Sequence, residues 1–460
     1  MRKLFIIVLG PAILLAAAVG GAWVWAGRSA GPAIDILQPA GTVGASGRLD
    51  VAVETPGGQL AALDVWFEQN GRETRLFSLA SPGTATLQQE TPVRVRIART
   101  LGRKDVPDLQ AGAARVIVRA ARPVLFGLRL AETTAVRDVQ VRLEPPRVTV
   151  VSTHHYVNHG GAEFVVYRVT PPEAASGVRV GDVEFPGYPA SGVHVDGVSL
   201  ADPSLKVAFF ALLFDQDLDT PIQVFARDEA GNTARIPLDH RAFPAAFGRS
   251  RVELTDRFIA RVVPAVLAHA PDLGVSGDDP LAAYLAINGE LRRRNTDQIA
   301  QLAAKTSSDM LWRGPFQQLG HSQVQARFAD HRTYYYKGKE VDQQVHLGFD
   351  LAVTANVAVR ASNRGTVVHA GDLGIYGNTV IVDHGMGVQS LYAHLSSIGV
   401  KAGDAVAAGQ EIGRSGQTGL AGGDHLHFTM LVGGRMVSPV EWWDPHWIED
   451  RILRKLREAR

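Results

Sequence analysis

The sequence predicts a mainly β, multidomain protein behind an apolar N-terminal helix. Three observations carry that reading. The chain has 460 residues, and at roughly 150 residues per domain this asks for about three cores. Most of it is short alternating segments separated by Gly, Pro and Asn turn signals. The exceptions are one uncharged apolar run near the start and one helical stretch in the middle.

The apolar run comes first. Arg2 and Lys3 precede a stretch without charge from Leu4 to Gly27. About 20 apolar residues span a bilayer as a helix. A cleaved signal peptide would have a shorter apolar core and a small-residue cleavage site. Trp23 and Trp25 sit where interfacial aromatics are expected. Residues 1–30 therefore read as an uncleaved, single-pass anchor in the cytoplasmic (inner) membrane. The N-terminus is then inside, and the rest lies in the periplasm or beyond the membrane.

Next come two strand-rich stretches. In 31–145, Leu49–Glu54 and Ala114–Arg119 alternate, and Gly57-Gly58, Asn70-Gly71 and Pro82-Gly83 mark turns. Pro145-Pro146 reads as a junction. In 146–247, Glu163–Tyr167 and Ile222–Ala226 are strands. The segment Ala226-Arg227-Asp228-Glu229-Ala230-Gly231-Asn232 resembles the late hairpin of bacterial immunoglobulin-like modules. Two tandem immunoglobulin-like β-sandwiches follow as the expectation.

From about Val252 to Leu311 the period becomes helical. Leu281, Tyr284, Leu285 and Leu291 form a stripe, and Asp279-Pro280 suits a helix start. Residues 248–315 thus read as a helical linker or regulatory segment. Strands and glycine-rich turns return over 316–445, and 446–460 is a short charged helix.

Composition narrows the function. Hydrophobic residues make up 46% and charged residues 20%, as in folded protein. A net charge of +1 gives no sign of a nucleic-acid partner. There is no cysteine, which excludes disulfides, Cys-ligated zinc and a thiol nucleophile. Any metal site must use His, Asp or Glu.

Of 15 histidines, four fall into a pattern with one Asp. The first piece is His346-Leu347-Gly348-Phe349-Asp350. Alternation puts His346, Gly348 and Asp350 on one strand face. A straight strand would hold His346 and Asp350 about 13 Å apart, so sharing a metal requires a bend, which Gly348 permits. The second piece is Asp424-His425-Leu426-His427-Phe428, whose two imidazoles share a face. In the third, Leu391-Tyr392-Ala393-His394-Leu395, Ser390, Tyr392 and His394 share a face. Two His and a carboxylate form one standard set for catalytic zinc, with a fourth position left for water. A further His can move the water's proton or hydrogen-bond the oxyanion.

His346-x-x-x-Asp350, His394 in Tyr-Ala-His-Leu, and His425-x-His427 resemble the signatures of the LytM/lysostaphin-type zinc metalloendopeptidases of peptidoglycan. The spacer is similar as well, through Ile375-Tyr376-Gly377-Asn378-Thr379-Val380-Ile381-Val382-Asp383-His384-Gly385, Lys401-Ala402-Gly403-Asp404 and Gly409–Gly416. The resemblance covers roughly residues 316–445. It implies one zinc held by His346, Asp350 and His427, catalytic roles for His394 and His425, and an antiparallel β fold with a peptide groove. The implied function is hydrolysis of peptide bonds in stem peptides or cross-links of peptidoglycan. Two positions depart from the family pattern. Asp424 stands where Pro is common. The Tyr often found shortly before the first ligand has only Tyr334, Tyr335 and Tyr336 as counterparts, at larger spacing, with no choice among them.

Two rival readings stand beside this one. A non-enzymatic relative that activates other hydrolases would lack ligands, and all five residues are present. A non-haem iron oxygenase also uses two His and a carboxylate, but the extra histidines and spacer motifs argue against it. His384 reads as a turn residue; His321, His331, His369 and His446 read as surface or supporting residues. His154, His155 and His159 form a weak metal candidate. Trp442, Trp443 and Trp447 are expected to pack the last helix down. The helical segment is a spacer or, alternatively, a cover over the groove that an envelope regulatory protein would lift.

Overall fold

The computed structural model describes residues 2–459 except 58, 196, 199 and 277, and leaves out the side chains of residues 2–13 and 15. A helix runs over Arg2–Gly27. No helix among the described residues is long and apolar enough to cross a membrane. The anchor expected over 1–30 falls in part on side chains outside that description. The remainder is mainly β, and the chain as a whole divides into two compact units: Met1–Pro146 with Arg227–Thr233, and Arg147–Ala226 with Ala234–Arg460.

The first unit is a two-sheet sandwich. One sheet has the order Ala33–Gln38, Ser46–Glu54, Arg94–Gly102, Thr86–Thr91. The other has the order Thr42–Val43, Arg129–Val141, Gly112–Val124, Ala62–Gln69, Arg72–Ser78. Alternation explains the layering. Leu49, Val51 and Val53 from one sheet meet Val65, Phe67, Val116 and Val118 from the other in one core. Asn70 and Gly71 take positive φ at the expected hairpin.

In the second unit, two four-stranded sheets come first. Their orders are Arg147–Val150, Ala162–Thr170, Leu205–Ala211, Tyr188–Pro189, and Val183–Pro186, Ala175–Val180, Ile222–Arg227, Thr233–Pro237. The helical stretch differs from its expected bounds. Arg249–Leu254 is a strand, parallel to Asp330–Tyr336. Helices then cover Asp256–Leu267 and Pro280–Leu302, the latter through a π turn at Ile287–Leu291. The Asp279 carboxylate caps the second by accepting from Ala282 N. An eight-stranded antiparallel sheet follows, with His425–Val432 between Phe349–Ala352 and Val388–Leu395.

The sequence divides 147–460 into a β module, a helical segment, a peptidase region and a last helix. In the structure these share one apolar core. Trp442 is the clearest reason. Its ring meets Phe209 of the β module at 5.7 Å, Trp312 at 5.9 Å, Phe316 at 5.4 Å and Trp447 at 5.2 Å. A large aromatic this deep joins elements far apart in sequence, which local periodicity does not register.

Candidate active site

Strand Lys339–His346 ends where the chain turns at Leu347-Gly348, and Phe349–Ala352 enters a different sheet. The bend lies where the sequence required it. It also needs glycine for a second reason: a Cβ on Gly348 would sit 2.4 Å from Cε1 of His427. Antiparallel pairing sets His427 opposite Asp350 and His425 opposite Ala352; on the other side, Ala393 faces His427. The period of two sends His425 and His427 to one face, while Phe428 stacks on Trp443 behind the sheet at 5.6 Å.

The result is a triangle. His346 Nε2 lies 2.9 Å from Asp350 Oδ1 and 3.0 Å from His427 Nδ1, and His427 Nδ1 lies 3.1 Å from Asp350 Oδ1. His346 Nδ1 donates to the Arg327 carbonyl at 3.2 Å, which leaves the Nε2 lone pair facing inward. Two nitrogens and one carboxylate oxygen thus converge on one point. Zinc binds such atoms at about 2.0–2.2 Å, for which tetrahedral ligands lie about 3.3 Å apart. The donor set fits. Among the described residues this is the one His/Asp/Glu group gathered closely enough for a metal. His154, His155 and His159 are not such a group: His155 bonds Ser152 Oγ and the Asp239 carbonyl, and His159 packs on Phe247.

His394 and His425 stand beside the triangle, their ring centroids 4.9 Å apart. His394 Nδ1 donates to the Thr418 carbonyl at 2.8 Å, and His425 Nδ1 to the Gly423 carbonyl at 2.9 Å. Both therefore present Nε2 to the site. His394 has φ 62°, in the left-handed region that few non-glycine residues adopt. Burial, with the neighbouring histidines, drives its pKa well below the ordinary value. Burial also opposes charge on His425, but the hydrogen bond and charge of Asp350 outweigh it and raise its pKa. Two rings set apart in this way suit opposite halves of a proton transfer. At Asp350, burial pushes upward, but His346, His425 and His427 hold the carboxyl well below the usual range.

All five residues line a cavity of about 580 Å³ and are buried. Its far wall comes from the strand and helices before the peptidase region: Leu254, Phe258, Tyr284, Asn288 and Arg292. Two contributors, Arg332 and Tyr376, have no role in the sequence reading. Arg332 donates to Asp350 Oδ2 at 2.9 Å, leaving Oδ1 for the triangle. Tyr376 packs on His427 at 5.5 Å. Of the three candidate tyrosines, Tyr334 lines the cavity, whereas Tyr336 bonds Asp256 and Tyr335 stacks under Arg251. Asp424 accepts from Ser415 Oγ at 2.6 Å and Asn356 N at 3.2 Å, pinning the turn before His425. His384, read as a turn residue, is buried: its ring bonds the Arg364 carbonyl and Ser390 Oγ, and burial lowers its pKa to about 4.

Residues 344–439 match the family model described as Peptidase family M23. The chain carries a peptidase family M23 domain. The match falls on the same stretch as the LytM/lysostaphin motifs, and by family the region is a hydrolase domain of the metallo-endopeptidase kind. A DD-carboxypeptidase/endopeptidase Mpg of Neisseria meningitidis is 41% identical over 97 residues, 21% of this chain and 22% of that protein. The peptidoglycan DD-endopeptidase ShyA of Vibrio cholerae is 33% identical over 161 residues, 35% of this chain and 34% of that protein. The matches thus span about a fifth to a third of these relatives' length. The match to the catalytic domain of lysostaphin from Staphylococcus simulans is 26% identical, covers 31% of this chain and 96% of that one, and has a TM-score of 0.21.

Proposed function

We infer that the chain is a zinc-dependent endopeptidase acting on peptide bonds of peptidoglycan. One observation carries this: two imidazole nitrogens and a carboxylate oxygen, mutually 2.9–3.1 Å apart, at the floor of a cavity that also holds two further histidines. His346, Asp350 and His427 would hold the metal. Zinc bound there would supply a water of pKa roughly 7 and polarise the scissile carbonyl. Arg332, bonded to Asp350 Oδ2, leaves Oδ1 as the oxygen that would hold the metal. His394, whose Nδ1–H is held by the Thr418 carbonyl so that Nε2 keeps its lone pair, would take the water's proton, and His425, whose charged form Asp350 favours, would donate from Nε2 to the oxyanion. The substrate class is supported by the names of the Neisseria and Vibrio relatives. The test is digestion of purified peptidoglycan by the full chain, with mass analysis of the fragments and metal analysis of the protein. Release of new peptide termini with zinc bound is the expected outcome. Iron in the site and no cleavage would favour oxygenase chemistry.

Three features of setting belong to the same reading. The apolar helix Arg2–Gly27 is a membrane anchor, which puts the enzyme on the outer face of the cytoplasmic membrane. The two β modules are read as immunoglobulin-like; leaving out Thr42–Val43, His155–Asn158 and His240–Phe243, the strand orders first–second–sixth–fifth and fourth–third–seventh–eighth recur in both, which supports a shared sandwich plan. The helical segment restricts entry. Its side chains wall the cavity, and Arg261 bonds Gln417 Oε1 at 3.0 Å and the Ala421 carbonyl at 2.7 Å on the loop before His425. An envelope protein that displaces this helix would open the site. Arg261 is exposed, so Arg261→Ala should leave folding intact and raise the rate on peptidoglycan several-fold. An unchanged rate would make the helix a plain wall.

A further inference from the structure

One hairpin of the first unit breaks the rules of its own fold. Strands Gly112–Val124 and Arg129–Val141 are joined by Leu125-Phe126-Gly127-Leu128. Hairpin tips normally carry Gly, Asn, Asp or Ser, because those residues accept positive φ and favour water. Here Leu125 and Phe126 take φ of 53° and 58°. Both are bulky residues in a conformation that disfavours them. The strain does not hide Phe126. Phe126 is 103% exposed and Leu128 72% exposed, and Leu130 beside them is open as well. Scattered apolar residues on a surface need no explanation, but an apolar finger at a tip does.

The finger's position supplies the explanation. Val124, Leu125 and Ala131 pack against Ala26, in the last turn of the apolar helix. Arg129 donates to the Trp23 carbonyl at 2.9 Å, and its guanidinium lies 5.4 Å from the Trp23 ring centroid. Arg122 donates to the Ala30 carbonyl at 2.8 Å. The tip is therefore fixed alongside the final turn, from Trp23 to Gly27. That turn rises about 6 Å, and an interfacial group penetrates about 5–10 Å into the headgroup and acyl boundary. Trp23 and Trp25 are exposed at the same level, as aromatics of a membrane interface are. The charge agrees: Arg122 and Arg129 flank the tip in sequence, and 122–131 contains no acid, the nearest being Glu132.

We propose that the Leu125–Leu128 tip is a second membrane contact, inserting Phe126 and Leu128 into the interface of an anionic lipid surface beside the N-terminal helix. This rests on the reading of that helix as an anchor. Helix and tip together would fix the first unit against the bilayer. A single spanning helix alone leaves that unit free to swivel.

The chain has no cysteine, so single cysteines can carry an environment-sensitive fluorophore at chosen points. The test uses the full chain in vesicles of phosphatidylglycerol in phosphatidylcholine, containing lipids with quenchers in the acyl region. Labels go on Leu128→Cys, on Val24→Cys in the helix, and on Gln88→Cys in the exposed strand Thr86–Thr91. The expected result is a blue shift and several-fold stronger quenching at 128 and 24 than at 88. Quenching at 24 but not at 128 overturns the proposal and leaves the anchor standing; the tip would then be free for a protein partner or a second copy. Quenching at 128 alone supports docking and overturns the anchor. Quenching at neither overturns both.

Discussion

The second unit buries two clusters of charged side chains, and they are built on opposite principles. In one, Lys455 donates to Glu163 Oε1 and to the Phe164 carbonyl, both at 2.8 Å. The Glu163 carboxylate also accepts from Tyr156 N at 2.8 Å and Phe164 N at 2.6 Å. Nearby, Glu441 accepts from Asn158 Nδ2 and Ala162 N, both at 2.7 Å. Donors meet acceptors, and the cluster is closed. In the other, nitrogens of His346, His425 and His427 all crowd onto Asp350 Oδ1, at 2.9, 3.4 and 3.1 Å. One oxygen cannot serve three rings well, and His427 Nε2 is buried without a partner. The cluster converges on a point and opens onto a cavity. A closed cluster holds elements together, whereas a convergent one has the form of a binding site.

That contrast can be broken at either end. The largest effect is expected at the triangle: His346→Ala, Asp350→Ala and His427→Ala should each lose zinc and activity together, measured by metal analysis of folded protein alongside peptidoglycan turnover. Full zinc retention in one of them would remove that residue from the ligand set. Next come His394→Ala and His425→Ala, expected to keep zinc and lose about 10²–10⁴-fold in turnover. Near-normal rates in both would dissolve the division between ligands and proton carriers.

The closed cluster should respond in stability instead. Lys455→Met strands the Glu163 charge and is expected to cost about 3–5 kcal/mol in denaturant unfolding, with zinc content of the folded protein unchanged. Unaltered stability would show that the pair pins nothing. The smallest effect concerns pH. Burial raises the Glu441 pKa from 4.5 to about 7. Above about pH 4.5 the unfolded carboxyl has lost its proton while the folded one keeps it, so stability should fall as pH rises to about 7. The slope would be at most about 1.4 kcal/mol per pH unit. Glu441→Gln should flatten that slope, and a variant with the same slope would assign it to another group.

The sequence exposes the site more fully than the architecture around it, for a physical reason. His346, Asp350, His425 and His427 are placed by strand alternation and one glycine bend, both properties of neighbouring residues. Their convergence requires only that two strands pair in register, as Asp350 and His427 do. Arg332 acts from 18 residues before Asp350 through a hairpin register that carries no motif. His384 looks like a turn beside Gly385, yet Phe316, Arg364 and Ser390 enclose it from elsewhere in the chain. The helical stretch could be seen as helix, but which face it turns to the cavity depends on partners such as Asp342, which accepts from Asn288 at 2.7 Å. Pro145-Pro146 marks a junction because proline acts locally, and nothing local marks the single core beyond it.

That single core changes what can be transplanted. Trp442 and Trp312 sit with Phe209 of the β module, and Lys455 near the C-terminus reaches Glu163 in the same module. The peptidase sheet is therefore not a cartridge that could be lifted out and fused to another carrier. Cut free near Pro315, it would lose the partners of its largest buried aromatics and present their faces to water. The β module before it is better regarded as part of the enzyme's foundation than as an adaptor strung along the chain. Evolutionary exchange of catalytic specificity in this chain would have to proceed through the loops around the cavity, because swapping the domain would dismantle the foundation with it.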